Sequence, residues 1–70
     1  MKRKFIDSST LQTVGYEPQS GTLEIEFKNG KLYQYYEVPE LVYRQLLAAD
    51  SAGKFLNTRI KPMYSFSQIQ

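Results

Sequence analysis

The stretch that most constrains the fold is residues 21–36, GTLEIEFKNGKLYQYY, which carries the pattern of a β-hairpin. Every other residue from Leu23 to Phe27 is apolar, and glutamates lie between them. This period of two is typical of a strand with one buried face. Asn29 and Gly30 follow, and both residue types tolerate the positive φ angles of a tight turn. The second half is rich in strand-forming residues, so the sequence predicts two antiparallel strands joined by a short turn.

The length of this turn decides which side chains are buried. In a two-residue turn, Tyr33 and Tyr35 lie opposite glutamates of the first strand. In a three-residue loop that ends with a left-handed Gly30, the same tyrosines lie opposite Ile25 and Leu23. A one-residue slip exchanges the two faces of a strand completely. We favour the three-residue loop, because it brings the apolar side chains of both strands together on one face.

Further elements are predicted on both sides of the hairpin. Residues 10–16 read as a first strand, which the turn-forming segment EPQSG separates from the hairpin. Val38 and Pro39 start a helix, since proline suits the first helical position and disfavours helical geometry in the residue before it. The apolar stripe of this helix covers the sheet. Ser51 is a good N-cap for a second, short helix, which Pro62 ends. Phe55, Leu56 and Ile60 would form the buried side of this helix.

These elements predict an α+β fold, in which a three-stranded antiparallel meander is followed by two short helices packed on one face (βββαα). We expect a single domain over residues 1–70, with an ordered core at about 8–66 and flexible ends at 1–7 and 67–70. A chain of 70 residues without cysteine lies near the lower limit for a self-supporting core.

Composition excludes several classes of function. The chain has no histidine and no cysteine, so it lacks the usual general base and the usual zinc ligands. It also lacks a phosphate-binding loop motif. We therefore expect a non-catalytic module without metal or cofactor. No apolar run approaches the roughly 20 residues of a membrane span, and the basic start does not continue as a signal peptide. We expect a cytoplasmic monomer with no membrane partner.

An ordered set of residues runs along nearly the whole chain. It comprises Ser9, Leu11, Val14-Gly15-Tyr16, Leu23, Ile25, Phe27, Gly30, Tyr33, Tyr35, Val38-Pro39, Tyr43, Leu46-Leu47, Ala49, Ser51, Gly53, Phe55, Asn57, Ile60 and Tyr64. This set resembles the KTSC domain, a family named after the C-terminal extension of some lysyl-tRNA synthetases and also found as free-standing bacterial or phage proteins. The family has no established function. Its attachment to a tRNA-handling enzyme implies RNA, tRNA-like or single-stranded, as a partner.

The second helix offers a candidate nucleic-acid site. Its start presents free backbone N–H groups, and a glycine there lets a phosphate approach closely. Nearby cationic and amide side chains add charge and donors. The residues of this candidate site are Ser51, Gly53, Lys54, Asn57, Arg59 and Lys61. The alternative is an ordinary capped helix with a solvated polar face, in which Gly53 serves close packing and Asn57 bonds the backbone.

The tyrosines of the hairpin form a second candidate, because aromatic side chains on a sheet can stack on unpaired bases. The favoured register instead places Tyr33 and Tyr35 under the first helix, with their hydroxyls at the edge of the core. Tyr36 then points outward and becomes the better stacking residue. Glutamates share its face, however, and they would repel a phosphate backbone.

The charge distribution is uneven although the net charge is only +2. Lys2, Arg3 and Lys4 lie at the start, and residues 51–70 contain three basic residues and no acid. Such asymmetry can mark an anionic partner, although small domains also need charge for solubility. We therefore predict RNA binding through the second helix and the basic ends. The alternative is a protein–protein interaction module that uses a strand edge or the tyrosines.

Overall fold

The sheet is larger than the sequence predicts. In the computed structural model, which describes residues 2–70, five antiparallel strands lie side by side in chain order. They are β1 (Arg3–Phe5), β2 (Leu11–Glu17), β3 (Thr22–Phe27), β4 (Leu32–Tyr35) and β5 (Phe66–Gln68). The helices are α1 (Glu40–Ala48) and α2 (Ala52–Phe55), and α2 continues as a π-helical segment, Leu56–Ile60. The fold is α+β, but the predicted three-stranded meander is only the centre of the sheet.

The two additional strands lie at the edges, and each is three residues long. All of their side chains are exposed. Because each strand is so short and has no buried face, its sequence does not show the alternation of apolar and polar residues that identifies a half-buried strand. β1 is held by pairing with β2 and by an ion pair in which Arg3 Nε lies 3.4 Å from Glu24 Oε2. This ion pair crosses β2 at Gly15, which has no side chain to obstruct it.

β5 completes the other edge. The Tyr36 N–H donates to the Ser65 carbonyl, and the Leu32 N–H donates to the Gln70 carbonyl, each at 2.9 Å. The Phe66 ring lies 5.7 Å from the ring of Tyr35 across the strand pair. The edges of the sheet are therefore formed by β1, which precedes the predicted core of residues 8–66, and by β5, which begins at the last residue of that core.

The hairpin has the favoured register. Tyr33 pairs with Ile25, and Tyr35 pairs with Leu23. The loop is closed where the Phe27 N–H donates to the Lys31 carbonyl at 2.8 Å, and Gly30 has a φ of 90°. The prediction of a three-residue loop with a left-handed glycine is thus confirmed.

The core lies between the helices and one face of the sheet. It contains Leu11, Val14, Leu23, Ile25, Tyr35, Val38, Leu46, Ala52, Leu56 and Ile60. Tyr35 is the largest fully buried side chain, with 1% of its surface exposed. At the entrance to α1, the Tyr16 hydroxyl donates to the Val38 carbonyl, and its ring stacks on Tyr43 at 5.0 Å. α1 begins at Glu40, one residue later than predicted, because Pro39 is its N-cap.

Glu40 and Arg44, four residues apart on α1, form an ion pair in which Arg44 Nη2 lies 2.9 Å from Glu40 Oε2.

Within residues 2–70, no helix has the length and apolar character needed to cross a bilayer.

The hairpin loop generates the first testable prediction. Gly30→Ala should lower the free energy of unfolding by about 1 kcal/mol, because a side chain at positive φ is strained. An added Cβ would meet no atom within 4 Å, so the loss reports backbone conformation alone. Gly30→Asn should lose less, since asparagine tolerates positive φ better than alanine. Urea unfolding measures both variants, and an alanine variant as stable as the parent would contradict the left-handed turn.

Burial of Tyr35 generates a second prediction. Burial, and to a smaller extent the neighbouring Tyr33, raises the pKa of Tyr35 to about 12, whereas an unfolded tyrosine ionises near pH ~10. As the pH rises, Tyr35 ionises first in the unfolded state, which favours unfolding. The contribution of the buried, protonated Tyr35 to the free energy of unfolding is therefore complete below pH ~10 and is lost as the pH rises toward ~12.

The matched variant for this prediction is Tyr35→Phe, which cannot ionise at this position. Between pH 8 and pH 11 the parent should lose about 1 kcal/mol more unfolding free energy than the variant does. Burial also raises the pKa of Tyr16 and Tyr43, but both proteins share that effect. Identical pH profiles in urea unfolding would contradict the buried position of the Tyr35 hydroxyl.

Candidate nucleic-acid interface

The helical segment after α1 begins with the predicted cap. The Ser51 hydroxyl accepts a hydrogen bond from the Lys54 N–H at 3.3 Å. α2 has one turn of α-helix and then widens, since the Lys61 N–H donates to the Leu56 carbonyl, five residues earlier, at 2.9 Å. Leu56 and Ile60 are buried, as the sequence predicts, whereas Phe55 is only partly buried. Polar side chains therefore project from the exposed side of this segment.

The six predicted nucleic-acid-binding residues fall on two neighbouring faces of this segment. Gly53, Asn57 and Lys61 line a groove against the β3–β4 loop. Ser51, Lys54 and Arg59 line a separate hollow, which Asp50 also lines. The structure therefore does not bring the predicted residues together into one site.

The first of these we call the lysine groove. It has a volume of about 230 Å³ and lies between the helical segment, the start of β2 and the β3–β4 loop. Its lining residues are Thr10, Leu11, Phe27, Asn29, Lys31, Tyr33, Gly53, Leu56, Asn57 and Lys61. An adjoining hollow of about 270 Å³ is lined by Ser9, Thr10, Phe27, Lys28 and Asn29. Together they carry three lysines, and among residues 2–70 no aspartate or glutamate lines either one.

Thr10 joins the elements that form the groove. Its carbonyl accepts a hydrogen bond from the Lys28 N–H at 2.9 Å, which fixes the hairpin loop beside the start of β2. A Cβ added to the buried Gly53 would lie 3.3 Å from the Thr10 hydroxyl oxygen. The glycine therefore permits close packing of α2 against this threonine, which agrees with the alternative that Gly53 serves close packing and not phosphate binding.

Lys61 is held at the aromatic wall of the groove. Its Nζ lies 5.7 Å from the centre of the Phe27 ring, within the range of a cation–π contact. The Tyr33 ring meets Phe27 nearly at right angles, with the ring centres 5.4 Å apart. On the other face of the helical segment, Arg59 makes a similar cation–π contact, with its Cζ 5.9 Å from the centre of the Phe55 ring.

Asn57 differs from its polar neighbours on the helical segment. The side chain that bonds the backbone is that of Thr58, whose hydroxyl donates to the Lys54 carbonyl at 2.8 Å. Among residues 2–70, no hydrogen bond involves the side-chain amide of Asn57, which is exposed. Its donor and acceptor therefore face the groove and solvent.

The three tyrosines of the hairpin have different environments. Tyr35 belongs to the core, as the favoured register predicts. Tyr33 is half-buried, and its hydroxyl donates to Gln68 Oε1 at 3.2 Å. Tyr36 points to the opposite face of the sheet, where its hydroxyl donates to Gln34 Oε1 at 3.4 Å.

That opposite face has an acidic character. Glu24 accepts hydrogen bonds from Gln34 at 2.8 Å and pairs with Arg3, and Glu26 accepts one from Thr13 at 2.9 Å. Arg3 is thus engaged on the face away from the helices. Lys2, Arg3 and Lys4 line neither the lysine groove nor its adjoining hollow.

More than half of the residues that line the lysine groove are absent from the sequence prediction of the site. Sequence reasoning missed Thr10, Leu11, Phe27, Asn29, Lys31 and Leu56 in the groove, and Ser9 and Lys28 in the adjoining hollow. The signal present in the sequence is the pair of lysines that flanks Asn29 and Gly30. Their proximity to Lys61 depends on how the helical segment packs on the sheet, which periodicity does not reveal.

Comparison with known proteins identifies similar chains. The family model for the KTSC domain matches residues 7–64. An uncharacterized protein from Stutzerimonas stutzeri is 45% identical over 64 residues, which cover 91% of this chain and 90% of that protein. A lysine–tRNA ligase from Nostoc punctiforme is 36% identical over 63 residues, which cover 90% of this chain but only 11% of the ligase. A crystal structure of a KTSC domain protein from Yersinia pestis matches with a TM-score of 0.91 and 34% identity, and covers 99% of this chain and 97% of that one.

Proposed function

The chain belongs to the KTSC domain family, and we propose that it is a small, non-catalytic RNA-binding module of the cytoplasm that uses the lysine groove. The observation that carries this proposal is the convergence of Lys28, Lys31 and Lys61 on a concave surface without a carboxylate. Concave surfaces of one charge concentrate ligands of the opposite charge.

The three lysines of the groove and its adjoining hollow can meet phosphates. Among residues 2–70, the two ion pairs engage Arg3 and Arg44, so no carboxylate neutralises the three lysines. Each ammonium group that contacts a phosphate releases a condensed counterion, and this release drives binding that weakens as salt rises. The contact with the Phe27 ring places Lys61 at the wall of the groove, next to the space that a phosphate would occupy.

The relatives support RNA as the anion. A region similar to this chain occurs in a lysine–tRNA ligase, a protein whose name states that it acts on tRNA. The region is about a tenth of that ligase, which suits an accessory binding domain better than a catalytic one. Within the present chain, the acidic face of the sheet around Glu24 is unsuited to phosphates, so the helix side is the proposed RNA surface.

A specific observation also favours the alternative of a protein partner. Both edge strands expose large aromatic side chains, with 81% of Phe5 and 54% of Phe66 exposed. An open strand edge can accept a further strand from another chain, and aromatic anchors add affinity. Binding of that kind would be insensitive to salt, which separates it from the main proposal.

Two double charge reversals test the proposed surface. Lys31→Glu with Lys61→Glu alters the lysine groove, whereas Lys54→Glu with Arg59→Glu alters the neighbouring hollow with the same change in net charge. The groove variant should weaken binding of a single-stranded RNA octamer at least about tenfold and should reduce the slope of log affinity against log salt by about 1. The matched control should lose less than about threefold, which reflects long-range charge only. Fluorescence anisotropy at 50 and 150 mM salt measures both.

Two results would contradict the proposal. Equal losses in the two variants would mean that the overall charge, and not the groove, attracts RNA. An RNA affinity that neither variant nor salt changes would exclude phosphate recognition by these lysines. All four substitutions lie at exposed side chains, so a loss of folding, checked by circular dichroism, is not expected.

A further inference from the structure

We infer that the lysine groove and its adjoining hollow hold one unpaired nucleotide, with its phosphate on the lysines and its base against Phe27 beside the Asn57 amide. This inference rests on the proposed RNA-binding function and specifies which form of RNA the groove takes. It separates the groove into a part that attracts phosphate and a part that recognises a base.

The dimensions of the groove favour a single nucleotide. The lysine groove and its adjoining hollow have volumes of about 230 and 270 Å³. Each volume is slightly smaller than the roughly 300 Å³ at the lower end of small-molecule pockets. A base that is paired in a duplex cannot enter such a space, because its partner strand stays attached to it. A base in a loop or single strand can turn out of the stack and enter.

Phe27 supplies the apolar surface for a base. It lines both hollows and is only half-buried, so part of its ring faces the open space. The edge-to-face contact with Tyr33 fixes the orientation of the ring. Aromatic side chains held in this way stack with nucleobases of any identity. The Lys61 Nζ lies over this ring, 5.7 Å from its centre, so a base that stacks on that face displaces the ammonium group toward the phosphate of the same nucleotide.

Two side-chain amides border the space that the base would occupy. The Oδ1 of Asn29 accepts a hydrogen bond from the Lys31 N–H at 3.0 Å, which leaves its Nδ2 as a donor. Asn57, on the opposite side of the groove, has both its donor and its acceptor available. An amide that presents a donor and an acceptor side by side matches the edge of an unpaired base.

The alternative to base recognition is a purely electrostatic groove, which would bind any polyanion of equal charge. The two cases differ in their response to a ligand that has phosphates and no bases. The test therefore compares a mixed-sequence RNA octamer with a ribose-phosphate octamer that lacks bases, and adds a blunt RNA duplex as a third probe.

Asn57→Ala is the decisive variant, since alanine is the best helix former and the position is exposed. Thr58→Ala is the matched control, because it removes a neighbouring polar side chain that lines the other face of the segment. The parent should bind the RNA octamer at least about tenfold more tightly than the base-free octamer. Asn57→Ala should reduce this ratio about fivefold or more through weaker RNA binding alone, and Thr58→Ala should leave the ratio unchanged.

Phe27→Leu provides a second variant that keeps an apolar side chain at this position but removes the stacking ring. It should also lower the ratio, with circular dichroism confirming the fold. A base-free octamer or a duplex that binds as tightly as the RNA octamer would overturn the inference, as would a ratio that Asn57→Ala leaves intact. In those cases the charge reversals at Lys31 and Lys61 still report on RNA binding, so the inference can fail while the proposed function stands. If no RNA probe binds at all, both fail.

Discussion

The register of the β3–β4 hairpin is the constraint on which the rest of the structure depends. The three-residue loop that ends at Gly30 sets Tyr33 opposite Ile25 and Tyr35 opposite Leu23, so that the apolar side chains of both strands face the helices. A slip of one residue would turn them to solvent. The same loop places Asn29 and Lys31 at the end of the sheet where the helical segment crosses. The turn therefore determines both the core and one wall of the lysine groove.

The second wall depends on how closely the helical segment approaches the sheet. Gly53 has no side chain to hold α2 away from Thr10, whose hydroxyl would lie 3.3 Å from an added Cβ. In the wider turn that follows, the Lys61 backbone N–H donates to the Leu56 carbonyl, and the Lys61 side chain extends toward Phe27. Local backbone geometry thus brings the lysines of a loop and of a distant helical segment to one concave surface. We expect their mutual repulsion to be relieved when an anion binds.

Much of this fold could be predicted from the sequence, and the reasons for success and failure are physical. The hairpin register, the Ser51 cap and burial of Leu56 and Ile60 follow from local patterns, and the predicted family is confirmed. The edge strands β1 and β5 could not be predicted, because their exposed side chains carry no alternation and β5 pairs with a strand far away in the sequence. Of the predicted site residues, Gly53, Asn57 and Lys61 line the candidate groove. The rest of the groove comes from tertiary packing, and Ser51, Lys54 and Arg59 lie on the neighbouring face.

The most direct test of the central claim is an NMR titration of the ¹⁵N-labelled chain with single-stranded RNA at low and physiological salt. We expect the largest backbone amide shifts around the lysine groove, at Thr10, Asn29, Lys31, Asn57 and Lys61, and we expect them to diminish as salt rises. Shifts concentrated at the acidic face around Glu24 and Tyr36, or no shifts at either salt concentration, would contradict the assignment of this groove as an RNA-binding surface.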